Sequence, residues 1–194
     1  MINEDGGANS LFASVFWKRN DAYYTESGWR GSMKTEGGGV MINQAIHTID
    51  MVCQIMGKPV SLVATASNHH LKGVIDVEDT CEGMITFESG KKANFFATTA
   101  YTGRDNLSIY VETDKHVYEL KPPKLYVDGE LIETGDYKSF VGKECYGIGH
   151  FELIRMFYDA IENGKGTPLS LESAQYPVRI LLAAYKSNDK EIPI

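Results

Sequence analysis

Glu36-Gly37-Gly38-Gly39-Val40-Met41-Ile42-Asn43-Gln44-Ala45-Ile46-His47-Thr48-Ile49-Asp50 runs three glycines straight into a helical pattern. At about 100° per residue, Ile42, Ala45, Ile46, Ile49, Val52, Cys53 and Met56 share one face, which must seek a core. Asn43, His47, Asp50 and Gln54 follow at steps of four, three and four and form a polar stripe on the other side. The glycines permit positive φ and let another segment or a ligand come close. Two readings of the stripe stand side by side. It is the solvated face of an amphipathic helix, or His47 is a titratable group flanked by Asn43 and Asp50. A carboxylate one turn away can orient an imidazole and raise its pKa, as a general acid or base requires.

Working outward, Gly57 is the natural stop of a helix over 40–56, with Pro59 just beyond it. Upstream, residues 20–39 read as a long loop rich in Gly, Ser, Tyr and Trp, and loops of that length in a compact domain are usually functional. Trp29 there is either a surface-loop anchor or a site residue. Residues 10–19 read as a strand apolar on both faces, hence buried from both sides. Residues 1–9 look loosely ordered.

Downstream, strands are expected at 60–68, 79–88, 91–101, 106–113 and 116–121, with Ser89-Gly90 closing one hairpin and Asp128-Gly129 marking a further tight turn. In 79–88, Cys81, Gly83, Ile85 and Phe87 alternate with Thr80, Glu82, Met84 and Thr86. The end turns helical. Phe151, Ile154, Phe157, Tyr158 and Ile161 have helical spacing, Asn163-Gly164 is a stop, and Ser170 is an N-cap for a last helix to about Ser187. Pro177 kinks or breaks that helix early. One helix, then strands, then two helices predicts an α+β fold with a large, mainly antiparallel open sheet and helices packed on one face. The other face carries Met84, Thr86, Phe96 and Thr98, and a half-apolar open face usually meets a partner.

The chain has 194 residues, 43% hydrophobic, which suits a single domain over 1–194. Its net charge of −7 argues against a nucleic-acid binder. Cys53, Cys81 and Cys145 are odd in number and widely spaced, with no CxxC, which favours a reducing compartment over a disulfide framework or structural zinc. The N-terminus carries Glu4 and Asp5 rather than a basic region, and the apolar run 11–17 is too short to span a bilayer. A cytoplasmic protein is expected.

Tyr23-Tyr24, Trp29-Arg30-Gly31, Gly37-Gly38-Gly39 and the run 43–50 together resemble the C-terminal domain of the Gfo/Idh/MocA oxidoreductases. The resemblance continues through Glu78-Asp79-Thr80, Phe87-Glu88-Ser89-Gly90 and Ala184-Tyr185-Lys186-Ser187. It implies the open-sheet type of domain also found in glyceraldehyde-3-phosphate dehydrogenase and dihydrodipicolinate reductase. It implies NAD(P)-dependent hydride transfer on a sugar, inositol or related polyol, and a homo-oligomer formed through the open sheet face. Carried over residue by residue, His47 is the acid or base and Asn43 its companion. The family often has Asp at the latter position. Asn cannot accept a proton, so here it positions substrate or His47 by hydrogen bonds. Trp29 and Arg30 match a motif near the nicotinamide end of the cofactor. Tyr24 and Tyr101 line the sugar pocket. Asp50 completes the motif, as an orienter of His47 or as a helix-packing residue.

The family's dinucleotide fingerprint, G-x-G-x-x-G between strand and helix, matches no window of this chain. Nor does its Glu-Lys-Pro motif, whose lysine is catalytic. In the family both lie in an N-terminal Rossmann domain of roughly 120 residues. The chain thus reads as the second domain of a longer enzyme, with Met1 an added start, and alone is expected to be inactive. NAD or NADP would be the cofactor of the intact enzyme. Two other functions remain in view. One is a non-catalytic assembly module. The other is a metal-dependent hydrolase built on His47 and Asp50 with His69, His70, His116 or His150.

Overall fold

The computed structural model describes residues 1–101, 103, 106–132, 149–166 and 170–194. Cys145 lies outside them. Among the described residues, nine strands form one sheet in the order β8-β7-β6-β5-β1-β4-β3-β2-β9. These are β1 (Ser10–Phe16), β2 (Pro59–Ser67), β3 (Thr80–Phe87), β4 (Lys92–Thr98), β5 (Asn106–Glu112), β6 (Val117–Lys121), β7 (Lys124–Val127), β8 (Glu130–Ile132) and β9 (Ile192–Pro193). Every pairing is antiparallel except β1 with β4. The mainly antiparallel open sheet predicted from the strand succession is the one observed.

Pairing explains the sheet's order. The β3–β4 hairpin turns at residues 88–91, where Gly90 adopts φ 80°. At the β7–β8 turn Asp128 (φ 50°) and Gly129 (φ 85°) are both left-handed, the geometry a two-residue hairpin needs for strand twist. β1 slots between β4 and β5, with Leu11, Ala13 and Val15 facing the helical side beside Ala93, Phe95 and Ala97.

Two helices cover that side. A π-helical segment (Met41–Ala45) leads into α2 (Ile46–Met56), and α5 (Tyr176–Ser187) lies beside it across β2. Ile49, Val52, Cys53 and Met56 of α2 meet Ile180, Leu181, Ala183 and Ala184 of α5 over Leu62, Ile85 and Phe87. The Ser187 hydroxyl accepts the Ala64 N–H at 2.8 Å and pins α5 to β2. Gly57 stops α2 at φ 90°. Ser170 caps the short α4 (Leu171–Ala174) by accepting the Ser173 N–H at 3.0 Å. Pro177 then sits in the first turn of α5, where its missing N–H costs nothing, so the last helix is two pieces rather than one.

Four expectations change. The N-terminus is ordered: a 3-10 turn (Ile2–Asp5) buries Asp5, which accepts the Tyr118 hydroxyl. That hydrogen bond holds the Asp5 carboxyl below its usual range and pushes the Tyr118 phenol up to about 12. The loop after β1 contains a short α1 (Asp21–Thr25), whose cap Asn20 accepts the Tyr23 N–H at 3.1 Å. β1 is open on one side, where Phe12 is exposed. Finally, among the described residues α3 (Gly149–Glu162) makes no extensive contact with the sheet, unlike α2 and α5. Its Phe151, Ile154, Phe157, Tyr158 and Ile161 are exposed, and only Ala160 is buried. Its polar side is tied by Arg155, which reaches Glu152 at 2.9 Å and Asp159 at 2.8 Å.

Candidate functional site

The helix start at residues 39–41 is fixed from below by one buried carboxylate. Glu78 accepts the Gly39 N–H at 3.0 Å and the Met41 N–H at 2.9 Å, and the Tyr185 hydroxyl donates to it at 3.0 Å. The Val40 N–H meets the Glu78 carbonyl at 3.1 Å. Three of the amides that a helix start leaves without partners are therefore satisfied by a single residue. Burial pushes the Glu78 carboxyl up, with the Met41, Tyr185 and Gly39 hydrogen bonds opposing it; burial and the Glu78 charge push the Tyr185 phenol up as well. The glycines are required by this approach. A Cβ on Gly39 would stand 1.9 Å from the Glu78 carbonyl oxygen, and one on Gly38 would stand 2.0 Å from the Tyr185 hydroxyl.

A second carboxylate joins the loop to the helix. Glu36 accepts the Gly31 N–H at 2.5 Å and the Asn43 side-chain amide. Asp76 accepts the Met33 N–H at 2.6 Å, and its own N–H reaches the Gly31 carbonyl at 2.9 Å. Beneath this loop Tyr24, Leu71, Ile75 and Val77 form a small separate core. Asn43 lies inside the π-helical turn, a feature frequent at functional positions.

The structure distributes the predicted residues as follows. His47 is exposed, and among the described residues its ring has no hydrogen-bond partner. Asn43 is bonded to Glu36 rather than to His47. Asp50 is half-buried and no hydrogen bond joins it to His47. Burial, with the Asp50 charge assisting, pushes the Cys53 thiol up to about 12. Tyr24 is buried in the small core, where desolvation raises its phenol pKa against a hydrogen bond with Thr99. Tyr101 is exposed and stacks on Phe16 at 4.7 Å. Trp29 is half-exposed, and the Arg30 guanidinium stands 4.9 Å from its ring.

The glycine run does not fit a pyrophosphate. The N–H groups that a phosphate would take, on Gly39 and Met41, are held by Glu78, an internal anion at the helix N-terminus. Trp29 and the Arg30 guanidinium stand together on the 20–39 loop, and the buried Arg30 Nε has no hydrogen-bond partner among the described residues. For metals, among the described residues no three His, Cys, Asp or Glu side chains converge. Of the histidines once grouped with His47, His69 and His70 give their backbone N–H to Asp79, and His116 pairs with Asp128 at 2.7 Å. An apolar recess of about 320 Å³ lies near the far end of α2, between Ile2, Ile55, Ile109 and Tyr118, and not at His47.

The model of the GFO/IDH/MocA C-terminal domain family matches residues 6–118, more than half of the chain. This chain is a Gfo/Idh/MocA C-terminal domain. No curated protein matches it significantly by sequence. Among solved structures it is similar to levoglucosan dehydrogenase in complex with NADH (TM-score 0.80, 18% identity, 97% of this chain and 59% of the other). It is also similar to the WlbA dehydrogenase of Bordetella pertussis in complex with NADH and UDP-GlcNAcA (TM-score 0.77, 19% identity, 97% and 56%). A third is the aldose-aldose oxidoreductase of Caulobacter crescentus complexed with glycerol (TM-score 0.74, 16% identity, 97% and 56%). At these identities the likeness is one of fold. The chain spans less than two thirds of the length of each.

In this Gfo/Idh/MocA domain, sequence reasoning placed Asn43 and His47 on one helix but assigned no role to Glu36, Glu78, Asp79 or Tyr185. The signal for Glu78 was the glycine run itself. Three glycines before a helix call for a close internal partner, and Glu78 supplies it from a distant segment.

Proposed function

We propose that this chain is the substrate-binding and oligomerisation half of an NAD(P)-dependent oxidoreductase that acts on a sugar, inositol or related polyol. The observation carrying this is the open His47 on a helix whose start is locked by Glu78 and Tyr185, beside an Asn43 amide held by Glu36. The structural relatives named above, crystallised with NADH and sugar-type ligands, support the same reading. The cofactor supplies the hydride acceptor or donor. His47 moves the proton on or off the substrate oxygen, and its open ring leaves a nitrogen free for that oxygen. Asn43 orients the substrate or the His47 ring, Tyr101 lines the sugar pocket, Tyr24 supports that region from the small core rather than touching the sugar, and Asp50 supports the His47 helix. Trp29 and Arg30 meet the nicotinamide end. The compartment proposed is the cytoplasm, supported by the free thiols of Cys53 and Cys81; among the described residues no helix is long and apolar enough to cross a membrane.

Two measurements test this on the chain as given. Because Glu78 occupies the helix N-terminus, calorimetric titration with NAD(H) or NADP(H) is expected to give no binding in the micromolar range; micromolar affinity would contradict the assignment of the main cofactor site elsewhere. Light scattering at micromolar concentration is expected to show a dimer formed through the open sheet face. Phe12 and Tyr110 are exposed there as cross-strand partners, and the half-buried Phe16 and Phe96 rings lie 5.8 Å apart. Met84 and Thr86 flank them, half-buried. Thr98 is buried and bonded to Thr80 at 2.9 Å, so it offers no surface to that contact. A persistent 21.6 kDa monomer would sink the oligomer reading.

A further inference from the structure

The loop after β1 holds two arginines that no acid neutralises among the described residues. The Arg19 guanidinium stands 4.6 Å from the Tyr23 ring centre and 5.1 Å from the Trp17 ring. The Arg30 guanidinium stands 4.4 Å from the same Tyr23 ring and 4.9 Å from the Trp29 ring. Both side chains are half-buried, and the Nε of each is buried without a hydrogen-bond partner among the described residues. The Arg19 Nη1 donates to the Lys18 carbonyl at 2.9 Å. The acids of the same loop do not pair with either. Glu36 is occupied by Gly31 and Asn43. Asp21 and Glu26 are exposed and form no ion pair among the described residues.

Aromatic faces hold each guanidinium in place, but two like charges on one phenol ring repel. An oxyanion that reaches the accessible N–H groups of both guanidiniums offsets that repulsion, because a carboxylate or phosphate accepts from the planar guanidinium bidentately. The place is relevant to substrate, since Glu36 ties the peptide next to Arg30 to the Asn43 amide.

We propose that Arg19, Tyr23 and Arg30 form a subsite for an oxyanion carried by the substrate, so that the favoured substrates are acidic sugars, uronates or sugar phosphates, over neutral ones. The proposal rests on the reading of this chain as a sugar-binding half. It gives Arg19 a role that hydride transfer does not use, and Arg30 a second partner beside the nicotinamide.

The test is titration of the ¹⁵N-labelled chain, following the arginine Nε signals, with glucuronate, glucose 6-phosphate, glucose, inorganic phosphate and NAD⁺. The expected result is that at least one acidic sugar moves both the Arg19 and Arg30 signals and binds about tenfold or more tighter than glucose. Arg19→Gln and Arg30→Gln should each weaken that binding by about tenfold or more, with backbone amide spectra preserved. Arg19→Lys, which keeps the charge but not the fork, should lose less and guards against misfolding of a Gln variant. Glucose binding as tightly as the acidic sugars would overturn the proposal, as would unmoved Nε signals with both of them. Saturation of the arginines by inorganic phosphate or NAD⁺ at lower concentration than either acidic sugar would overturn it too, marking a free-phosphate or cofactor site. No turnover is read, so this outcome is separate from whether His47 moves a proton.

Discussion

Asp79→Ala is expected to cost about 3 to 5 kcal/mol of unfolding free energy at pH 7, on the scale of other losses of a buried, hydrogen-bonded charge. Asp79 is fully buried. Its Oδ2 accepts the N–H of His69 at 3.1 Å, His70 at 2.6 Å and Leu71 at 2.9 Å, and its Oδ1 accepts the Thr80 hydroxyl at 2.9 Å. Alanine leaves those amides without a partner, each costing about 1 to 3 kcal/mol where no water reaches it. The loop they belong to carries Leu71, Ile75 and Val77, the floor under Tyr24, so the damage spreads to the segment bearing Trp29 and Arg30. Asp79→Asn keeps one accepting oxygen and should cost about half as much.

The same carboxylate gives the fold an acid limit. Burial pushes the Asp79 pKa up, but the amide and Thr80 hydrogen bonds outweigh it, so the folded-state value lies below the ordinary 3.8. A depressed pKa contributes stability that is fully present above the unfolded value and is lost as pH falls through the folded one. The difference between wild type and Asp79→Asn should therefore be full at pH 7 and shrink below about pH 4. Urea unfolding at both pH values measures it. An alanine variant within about 1 kcal/mol of wild type at pH 7 would show that the 68–77 loop does not depend on this residue.

With a nucleotide-binding half supplied, His47→Gln is expected to lower kcat by roughly two to four decades with cofactor affinity little changed. Hydride transfer between a secondary alcohol and nicotinamide also moves a proton at oxygen, and a positioned imidazole is worth about 10²- to 10⁴-fold there. His47 is exposed and its ring has no hydrogen-bond partner among the described residues, so glutamine removes proton transfer without removing a described fold contact. The substitution should change stability by about half a kcal/mol at most. Asn43→Ala should act differently. It breaks the link to Glu36 and should appear mainly in KM, with some loss of stability. Steady-state kinetics of the three enzymes separates the cases. If the His47→Gln enzyme keeps more than about half its turnover, the polar stripe is only a solvated face.

The sequence by itself determined the strand succession, the helix over 40–56 with its Gly57 stop, the Asp128-Gly129 turn and the Ser170 cap. Each rests on local periodicity or on the backbone preference of one or two residues, which tertiary contacts reinforced. It also placed Asn43 and His47 on one helix, because a helix converts spacing into position. Tertiary structure alone decided what those groups face. Glu78 lies far along the chain from the amides it satisfies, and Tyr185 farther still. Nothing local tells a glycine run that cradles a ligand from one filled by its own carboxylate. Asn43 turned to Glu36 rather than His47 because the π-helical turn and the Gly31 loop brought that carboxylate within reach. The Arg19 and Arg30 pair is eleven residues apart in sequence and shares a ring only because the small core under Tyr24 folds the loop back on itself. Long-range contacts of this kind depend on which backbone groups the fold leaves unpaired, and that is set only when the sheet and its helices have closed.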